Sequence, residues 1–389
     1  MADDAVGELL DWYRETARDG TAGDGVRFVE PLGAWVVHGH AEVRRVLTDH
    51  SVFSSDELRY SARPVPHRDN PLLGGLSAMD PPRHHVLRRL VGRAFTPRAI
   101  QALLPSIAGT ARTLLTDVDC ELDVIGRLGH PLPVRTIAAL LGVRADRQAD
   151  FVRWSEAITS FAGSFTEDPA RRAAFRTARA KLGEYLREVF AEHRARPRGD
   201  VIGTLLAAEP DGGRLSEEEL LDFCTLLLVN GHESTRTLLV NTVLCLAAHP
   251  GALARLRADP ALVPGAVEEV LRFLPPVGGT DRFTTGPAGI AGHAIDTGRR
   301  VVAMVLSANR DPRVFAEPHE FRPGRTPNEH LSFGHGAHFC LGAHLARHQA
   351  VIAVRALLDR FPAPWSVSRI TTGRTPVGID VLDLALAAP

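Results

Sequence analysis

The chain has 389 residues, 44% hydrophobic and 23% charged, which is ordinary globular composition with enough apolar material for a large buried core. A formal net charge of -1 leaves no overall basic field to hold nucleic acid or anionic lipid, so any charged docking face must be local. Four cysteines without Cys-x-x-Cys spacing (Cys120, Cys224, Cys245, Cys340) point to a reducing compartment rather than a disulfide framework.

The N-terminus is acidic and amphipathic, with neither the basic start nor the apolar run of a signal peptide. Periodicity predicts a helix over 8–18 that stops at Gly20, followed by strand-like text over 26–37. Residues 51–79 read as a long irregular stretch with Pro64, Pro66, Pro71, Gly74 and Gly75, a length of loop that is usually functional. From 82 to about 196 helix follows helix, poor in strand signals and broken near 129–133 and 168–169. Ser216 and Glu219 form a capping box before an apolar run that continues to Ala248 and ends at His249-Pro250. Asn230, Gly231, His232, Glu233 and Arg236 interrupt that run, so it fails as a membrane span. A helix over 264–273 ends at Pro275-Pro276, and short strands occupy 281–306. A last helix runs from just after Cys340 to before Pro362, and 365–386 reads as a hairpin. No linker or repeat divides the chain. The expected architecture is mainly α with small β-sheets (α+β), one domain over 1–389, helix-rich over 80–275 and 340–361 and β-rich over 26–39, 281–306 and 365–386.

The segment Phe333-Gly334-His335-Gly336-Ala337-His338-Phe339-Cys340-Leu341-Gly342 sets three glycines around one cysteine just before a helix. Glycine lets backbone approach a large flat ligand, and the positive end of a helix favours a thiolate. A buried structural cysteine in a glycine turn is the bland alternative, and Cys224 and Cys245, within apolar helical runs, suit it. A zinc set of Cys340, His344 and His348 leaves the glycines unexplained and lacks a fourth ligand.

This segment resembles the haem-binding loop of the cytochrome P-450 superfamily, and the resemblance runs from about residue 30 to the C-terminus. It implies the family's triangular prism with a long central helix over the haem, heme b (iron protoporphyrin IX) as cofactor and dioxygen as co-substrate. Cys340 inherits the role of axial iron ligand, and Phe333 and Gly342 belong to the same cofactor-binding loop. His338, His84 and Arg88 (within Asp80-Pro81-Pro82-Arg83-His84-His85-Val86-Leu87-Arg88), and Arg282 match positions that meet haem propionates. Glu269-x-x-Arg272 with Arg325 matches a buried ion network that braces the cysteine loop.

Asn230-Gly231-His232-Glu233-Ser234-Thr235 resembles the family's small-Gly-x-acid-Thr segment over the haem, with Ser234 in place of threonine and Asn230 in place of alanine or glycine. Gly231 would let the helix bend open and give oxygen room. Residues 100° apart on a helix allow Ser234 to face oxygen while Glu233 points to a polar channel, a division suited to stepwise proton delivery. Asn230 is a candidate contact to substrate or distal water. A zinc-protease H-E-x-x-H fails because Arg236 stands where the second histidine would be.

The resemblance implies a monooxygenase that hydroxylates or epoxidises a small, mostly apolar natural product. Oxidative coupling or a peroxide-driven reaction on the same fold, and a non-catalytic haem-based ligand sensor, remain as alternatives. Pocket walls are expected from 51–79, 161–176 and 277–279, with Arg59, Arg63 and Arg68 able to meet a carboxylate. No flavin or iron–sulfur signature occurs, so electrons should come from a separate ferredoxin and ferredoxin reductase, with Arg88, Arg89 and Arg347 as candidate docking residues. The expected protein is a cytoplasmic monomer that binds a small-molecule substrate and neither nucleic acid nor membrane.

Overall fold

The computed structural model describes residues 2–21, 24–62, 75–118, 121–162, 168–207, 215–361, 364–375 and 378–387; Arg63, Pro64, Pro66, Arg68, Pro71, Gly74 and Cys120 lie outside the described residues. The structure is 62% helical with small sheets, as the sequence led us to expect. The chain divides into two compact units, one of Met1–Val65, Ala111–Gly129 and Ser234–Pro389, the other of Pro66–Thr110 and His130–Glu233.

The elements run α1 (Ala2–Thr21), β1 (Val26–Val29), β2 (Ala34–Val37), α2 (His40–Thr48), β3 (Phe53–Ser54), α3 (Glu57–Tyr60), α4 (Arg83–Gly92), α5 (Pro97–Leu114) and β4 (Glu121–Asp123). They continue as α6 (Pro131–Leu140), α7 (Gln148–Ala162), α8 (Pro169–Ala195), α9 (Val201–Ala207), α10 (Glu217–Ala248), α11 (Pro250–Ala258) and α12 (Val263–Phe273). Then follow β5 (Thr280–Thr284), β6 (Ala288–Ile290), β7 (His293–Ile295), β8 (Arg300–Ala303), α13 (Val305–Ala308), α14 (Ala343–Arg360), β9 (Val367–Thr375) and β10 (Gly378–Ala387).

The first unit is built on a five-stranded sheet in the order β1-β2-β8-β5-β3, where β2 and β8 are parallel and the other pairs antiparallel. Strand alternation sends neighbouring side chains to opposite faces. Val37, Val301 and Ala303 join Val43, Val46, Leu47 and Phe53 in one buried cluster, whereas Val36, Val302 and Met304 join Ala34 in another. Val301, Val302 and Ala303 are all fully buried, which is why β8 reads as an unbroken apolar run rather than an alternating one. Burying each valine contributes about 1.5–3 kcal/mol. A second sheet, β4-β10-β9, holds the C-terminal hairpin, and β6-β7 form a third.

In the second unit α8 starts where Asp168 accepts a hydrogen bond from Ala170 N at 2.9 Å, with Pro169 in the first turn, so the predicted break is a capped helix start. It packs on α7 through stacked Phe161 and Phe175, 4.6 Å between ring centroids, and Arg147 lies over both Trp154 and Tyr185. The capping box of α10 forms as read: Ser216 N donates to Glu219 Oε2 at 2.8 Å and Glu219 N donates to Ser216 Oγ at 3.1 Å. Its 32 residues span about 48 Å and end at His249-Pro250. Among the described residues no single helix is long and apolar enough to cross a membrane.

Four expectations need correction. Helix α1 covers Ala2–Thr21, through Gly20 rather than stopping there; Gly20 answers instead to the His38 ring, which lies so close that a Cβ would overlap it. The text at 26–37 is a hairpin, not one strand; a 3-10 turn over Glu30–Leu32 and Gly33 at φ 57 reverse the chain. Strand β4 and a π-turn over Ile125–Gly129 interrupt the supposedly all-helical stretch. The partner of β4 is β10, more than two hundred residues away, so three residues of local sequence carry little strand signal. The stretch 51–79 contains β3, which pairs with β5, and α3.

Candidate cofactor and oxygen site

The cysteine loop is a tight hairpin: Cys340 N donates to Phe333 O at 2.8 Å, Gly334 N to Leu331 O at 2.8 Å, and Phe339 N to Gly336 O at 3.1 Å. Gly334 and Gly336 sit at φ 72 and φ 70, left-handed backbone that side chains with a Cβ adopt only with strain. The loop leaves Cys340 exposed and Phe339 40% exposed at its tip, and α14 begins at Ala343 behind Gly342. Cys224 and Cys245 are fully buried, and burial pushes both thiols up to about 12, so they stay protonated. Among the described cysteines Cys340 alone is exposed.

Charged side chains brace this loop from α12. Glu269 and Arg272 have fully buried side chains and pair through two bonds of 2.8 and 2.7 Å, and Arg325 Nε donates to Glu269 Oε2 at 3.1 Å. Their remaining donors end on backbone carbonyls: Arg272 reaches Asn309, Pro318 and Glu320, and Arg325 reaches Ala316 and Glu317. The network therefore ties down residues 309–325, and reaches toward the cysteine loop through Asn309. That side chain accepts from Leu331 N at 2.7 Å and donates to Ser332 Oγ at 2.8 Å, while Ser332 Oγ donates to Leu271 O.

The direct brace is Glu268, which sequence reasoning passed over. One carboxylate meets His330 Nε2 at 3.1 Å and Arg347 Nε at 2.6 Å, and the Arg347 guanidinium lies 4.3 Å from the Phe333 ring centroid. Burial alone would raise the Glu268 carboxyl, but hydrogen bonds from His330 and Arg347 outweigh it and hold the group down at about 2. Arg347, read from the sequence as a candidate docking residue, also supports the loop. The available signal was the adjacent pair Glu268-Glu269: side chains 100° apart can serve two neighbours at once.

Along α10 one stripe stays open. Leu227, Asn230, Gly231, Ser234 and Thr237 retain solvent exposure, Asn230 most, while Leu228, Val229, His232, Thr235, Arg236 and Leu238 are buried. These positions fall within about 120° of one helix face. Ser234 lies in the stripe, and Glu233 at its edge puts Oε1 at 3.2 Å from His232 Nδ1. The helix is unbroken through Gly231, where the missing Cβ admits Ile137 of α6. Arg236 is buried against Asp380 and Val381, away from any metal role.

The other predicted residues are placed as follows. On α4, His84 is buried and Arg88 half-buried on the same face, with Arg89 exposed on another. Arg282 on β5 is buried and donates to Asp281 O at 2.7 Å, and His338 Nε2 lies 3.2 Å from Ser55 Oγ. Arg59 is exposed and Val277 is 44% exposed. Cys340, His344 and His348 do not form a metal cluster among the described residues.

A cysteine-bearing glycine loop before a helix, with a long helix carrying an acid and a hydroxyl side by side, defines a class of oxygen-activating haem protein. The family model described as Cytochrome P450 matches residues 168–367. Cyclomarin C epoxidase CymV of Salinispora arenicola is 40% identical over 348 residues, 88% of this chain and 86% of that one. Erythromycin C-12 hydroxylase of Saccharopolyspora erythraea is 40% identical over 370 residues, 93% and 88% of the two chains. The crystal structure of CYP109E1 from Bacillus megaterium in complex with corticosterone superposes with a TM-score of 0.87 at 33% identity, covering 99% of each chain. The chain belongs to the cytochrome P450 family. It is a monooxygenase that carries haem b, uses dioxygen as co-substrate and acts on small molecules. The donor set fits that cofactor, since haem iron in this chemistry takes a thiolate and the exposed cysteine stands in a loop slim enough for a flat ring to approach.

Proposed function

We propose that this chain hydroxylates or epoxidises a small, mostly apolar natural product, with Cys340 as the axial ligand of the haem iron. The observation that carries this reading is the cysteine loop, whose 2.8 Å bond from Cys340 N to Phe333 O and two left-handed glycines hold one exposed sulfur ahead of α14. When bound, the haem supplies dioxygen binding and O–O cleavage, favoured by electron donation from the sulfur. His84, Arg88, Arg282 and His338 hold its propionates, where cations offset carboxylate charge, and Phe333 and Gly342 belong to the loop that receives its face.

The chain's own part in the oxygen chemistry is proton supply. Ser234 Oγ holds a proton in the open stripe of α10, and the half-exposed Glu233 carboxylate restores it from solvent. Gly231 keeps the helix surface low, and Asn230 contacts substrate or water. Of the walls expected from the sequence, residues 63–74 and 163–167 lie outside the described residues. Names of relatives that epoxidise cyclomarin C or hydroxylate erythromycin support the natural-product class. Electrons come from a separate ferredoxin and its reductase, with Arg88 and Arg89 as docking cations. The protein works in the cytoplasm as a monomer, and a single domain over 1–389 is supported by relatives that match about nine-tenths of the chain.

Turnover in heavy dioxygen tests the reaction class. One labelled oxygen atom in the product is expected; an oxidised product without label, as oxidative coupling gives, would contradict it, as would the absence of reductant-dependent oxygen consumption.

A further inference from the structure

Beside the open stripe of α10, within the second unit, three titratable side chains stand in a row. His130, at the N-cap of α6, is half-buried and shares a hydrogen bond with His232 of α10: its Nδ1 lies 3.1 Å from His232 Nε2, with the ring centroids 5.1 Å apart and the planes inclined by 36°. The opposite nitrogen of the same ring, His232 Nδ1, lies 3.2 Å from Glu233 Oε1, within reach but out of line for a hydrogen bond, so a small turn of the carboxylate completes it. The His232 side chain is 1% exposed, and its neighbours rather than solvent therefore decide where its proton sits.

A neutral imidazole carries one N–H and one bare nitrogen, and which is which follows from the bond that the opposite nitrogen makes. Two arrangements are open to the pair. If His232 Nε2 donates to His130, a bare Nδ1 turns its lone pair on a carboxylate oxygen 3.2 Å away and repels it. If His130 Nδ1 donates to His232 Nε2, His232 Nδ1 carries the proton and meets the carboxylate with an N–H, which attracts it. The charges favour the second arrangement.

We infer that His130 and His232 are positioning residues for the oxygen chemistry: His130 fixes the Nδ1–H tautomer of His232, and that N–H orients the Glu233 carboxylate at the edge of the open stripe. This rests on the reading that Glu233 restores the proton of Ser234. A carboxylate so oriented spends less of its time in rotamers that cannot serve Ser234, which is how an outer partner adds to the rate without touching a reacting atom.

Nitrogen-15 spectra of the histidine rings, taken on the reduced, carbon monoxide-bound protein, read the tautomer without turnover. Wild type should show a proton on His232 Nδ1. His130→Asn should keep it there, because the asparagine amide nitrogen hangs from Cγ as Nδ1 does and can donate in its place; His130→Ala should shift it part of the way to Nε2. In turnover with the substrate of the labelling experiment, His130→Ala should slow product formation at least about tenfold, a part of the about 10²–10⁴-fold that a positioned proton carrier contributes. It should also widen the rate difference between water and heavy water, and His130→Asn should restore both. An unaltered haem absorption spectrum in each variant shows that the fold is intact, and the wild-type tautomer tests the inference whatever becomes of the variants. A bare His232 Nδ1 in wild type, or a His130→Ala protein with wild-type tautomer and rate, would overturn it. Glu233→Gln separates the two levels: if that variant turns over like wild type, the proton-supply reading falls, whereas a slow Glu233→Gln beside a fast His130→Ala removes only the role of the two histidines.

Discussion

Around the cysteine loop, opposite charges meet in pairs: Glu269 with Arg272 and Arg325, Glu268 with Arg347 and His330, at distances from 2.6 to 3.2 Å. Midway along α10 the side chains stand differently, with Asn230, Gly231, Glu233 and Ser234 left exposed in varying degree between buried neighbours such as Val229, His232 and Thr235. The first region fixes one sulfur in place by over-determining its backbone; the second keeps donors and acceptors accessible to ligand and water. A site that must hold a ligand and also pass protons separates the two tasks onto two kinds of element, a braced loop and an open helix face.

The contrast predicts that substitutions at the brace cost stability and substitutions in the stripe cost chemistry. The largest stability effect should come from Glu269→Ala, which leaves Arg272 buried without its counter-charge and costs about 3–5 kcal/mol, read as a lowered unfolding midpoint and loss of bound haem. Glu268→Gln keeps the shape but loses the charge shared by His330 and Arg347, and should cost about 1–3 kcal/mol. Because Glu268 is held at about 2, below its ordinary 4.5, its contribution is present above pH 4.5 and fades as pH falls toward 2. The Glu268→Gln variant should therefore lose less stability than wild type over that window; parallel acid curves would show that Glu268 does not brace the loop.

A second titration lies away from both regions. Burial first, and Arg27 second, push the His38 imidazole from 6.5 down to about 4, so the neutral ring suits the fold and the protonated ring suits the unfolded chain. Stability is complete above pH 6.5 and should fall by about 3 kcal/mol as pH drops to 4, with His38→Gln flattening that slope in acid unfolding curves. The smallest stability effect belongs to the stripe: Ser234→Ala should change the unfolding free energy by less than about 0.5 kcal/mol. Yet it should raise the hydrogen peroxide released per electron pair. Unchanged coupling would remove Ser234 from proton supply and blur the division between brace and stripe.

Much of this architecture is legible locally. The Ser216 and Glu219 box, the stop at His249-Pro250, the proline-started α12 and the C-terminal hairpin all follow from residues within a few positions of each other. The cysteine loop is legible for the same reason, since its glycines and its sulfur lie within ten residues of sequence. What sequence reasoning missed depends on distant partners. Strand β4 exists because β10 pairs with it, Gly20 is demanded by His38, and Glu268 finds its role 62 and 79 residues downstream. His130 meets His232 across 102 residues, and nothing near either position announces the other.

Cys340→Ser against Cys224→Ser, each compared with wild type in the carbon monoxide difference spectrum of the reduced protein, tests the central assignment most directly. A thiolate-specific band present in wild type and Cys224→Ser and lost in Cys340→Ser is the predicted result. Retention of that band in Cys340→Ser would contradict the account.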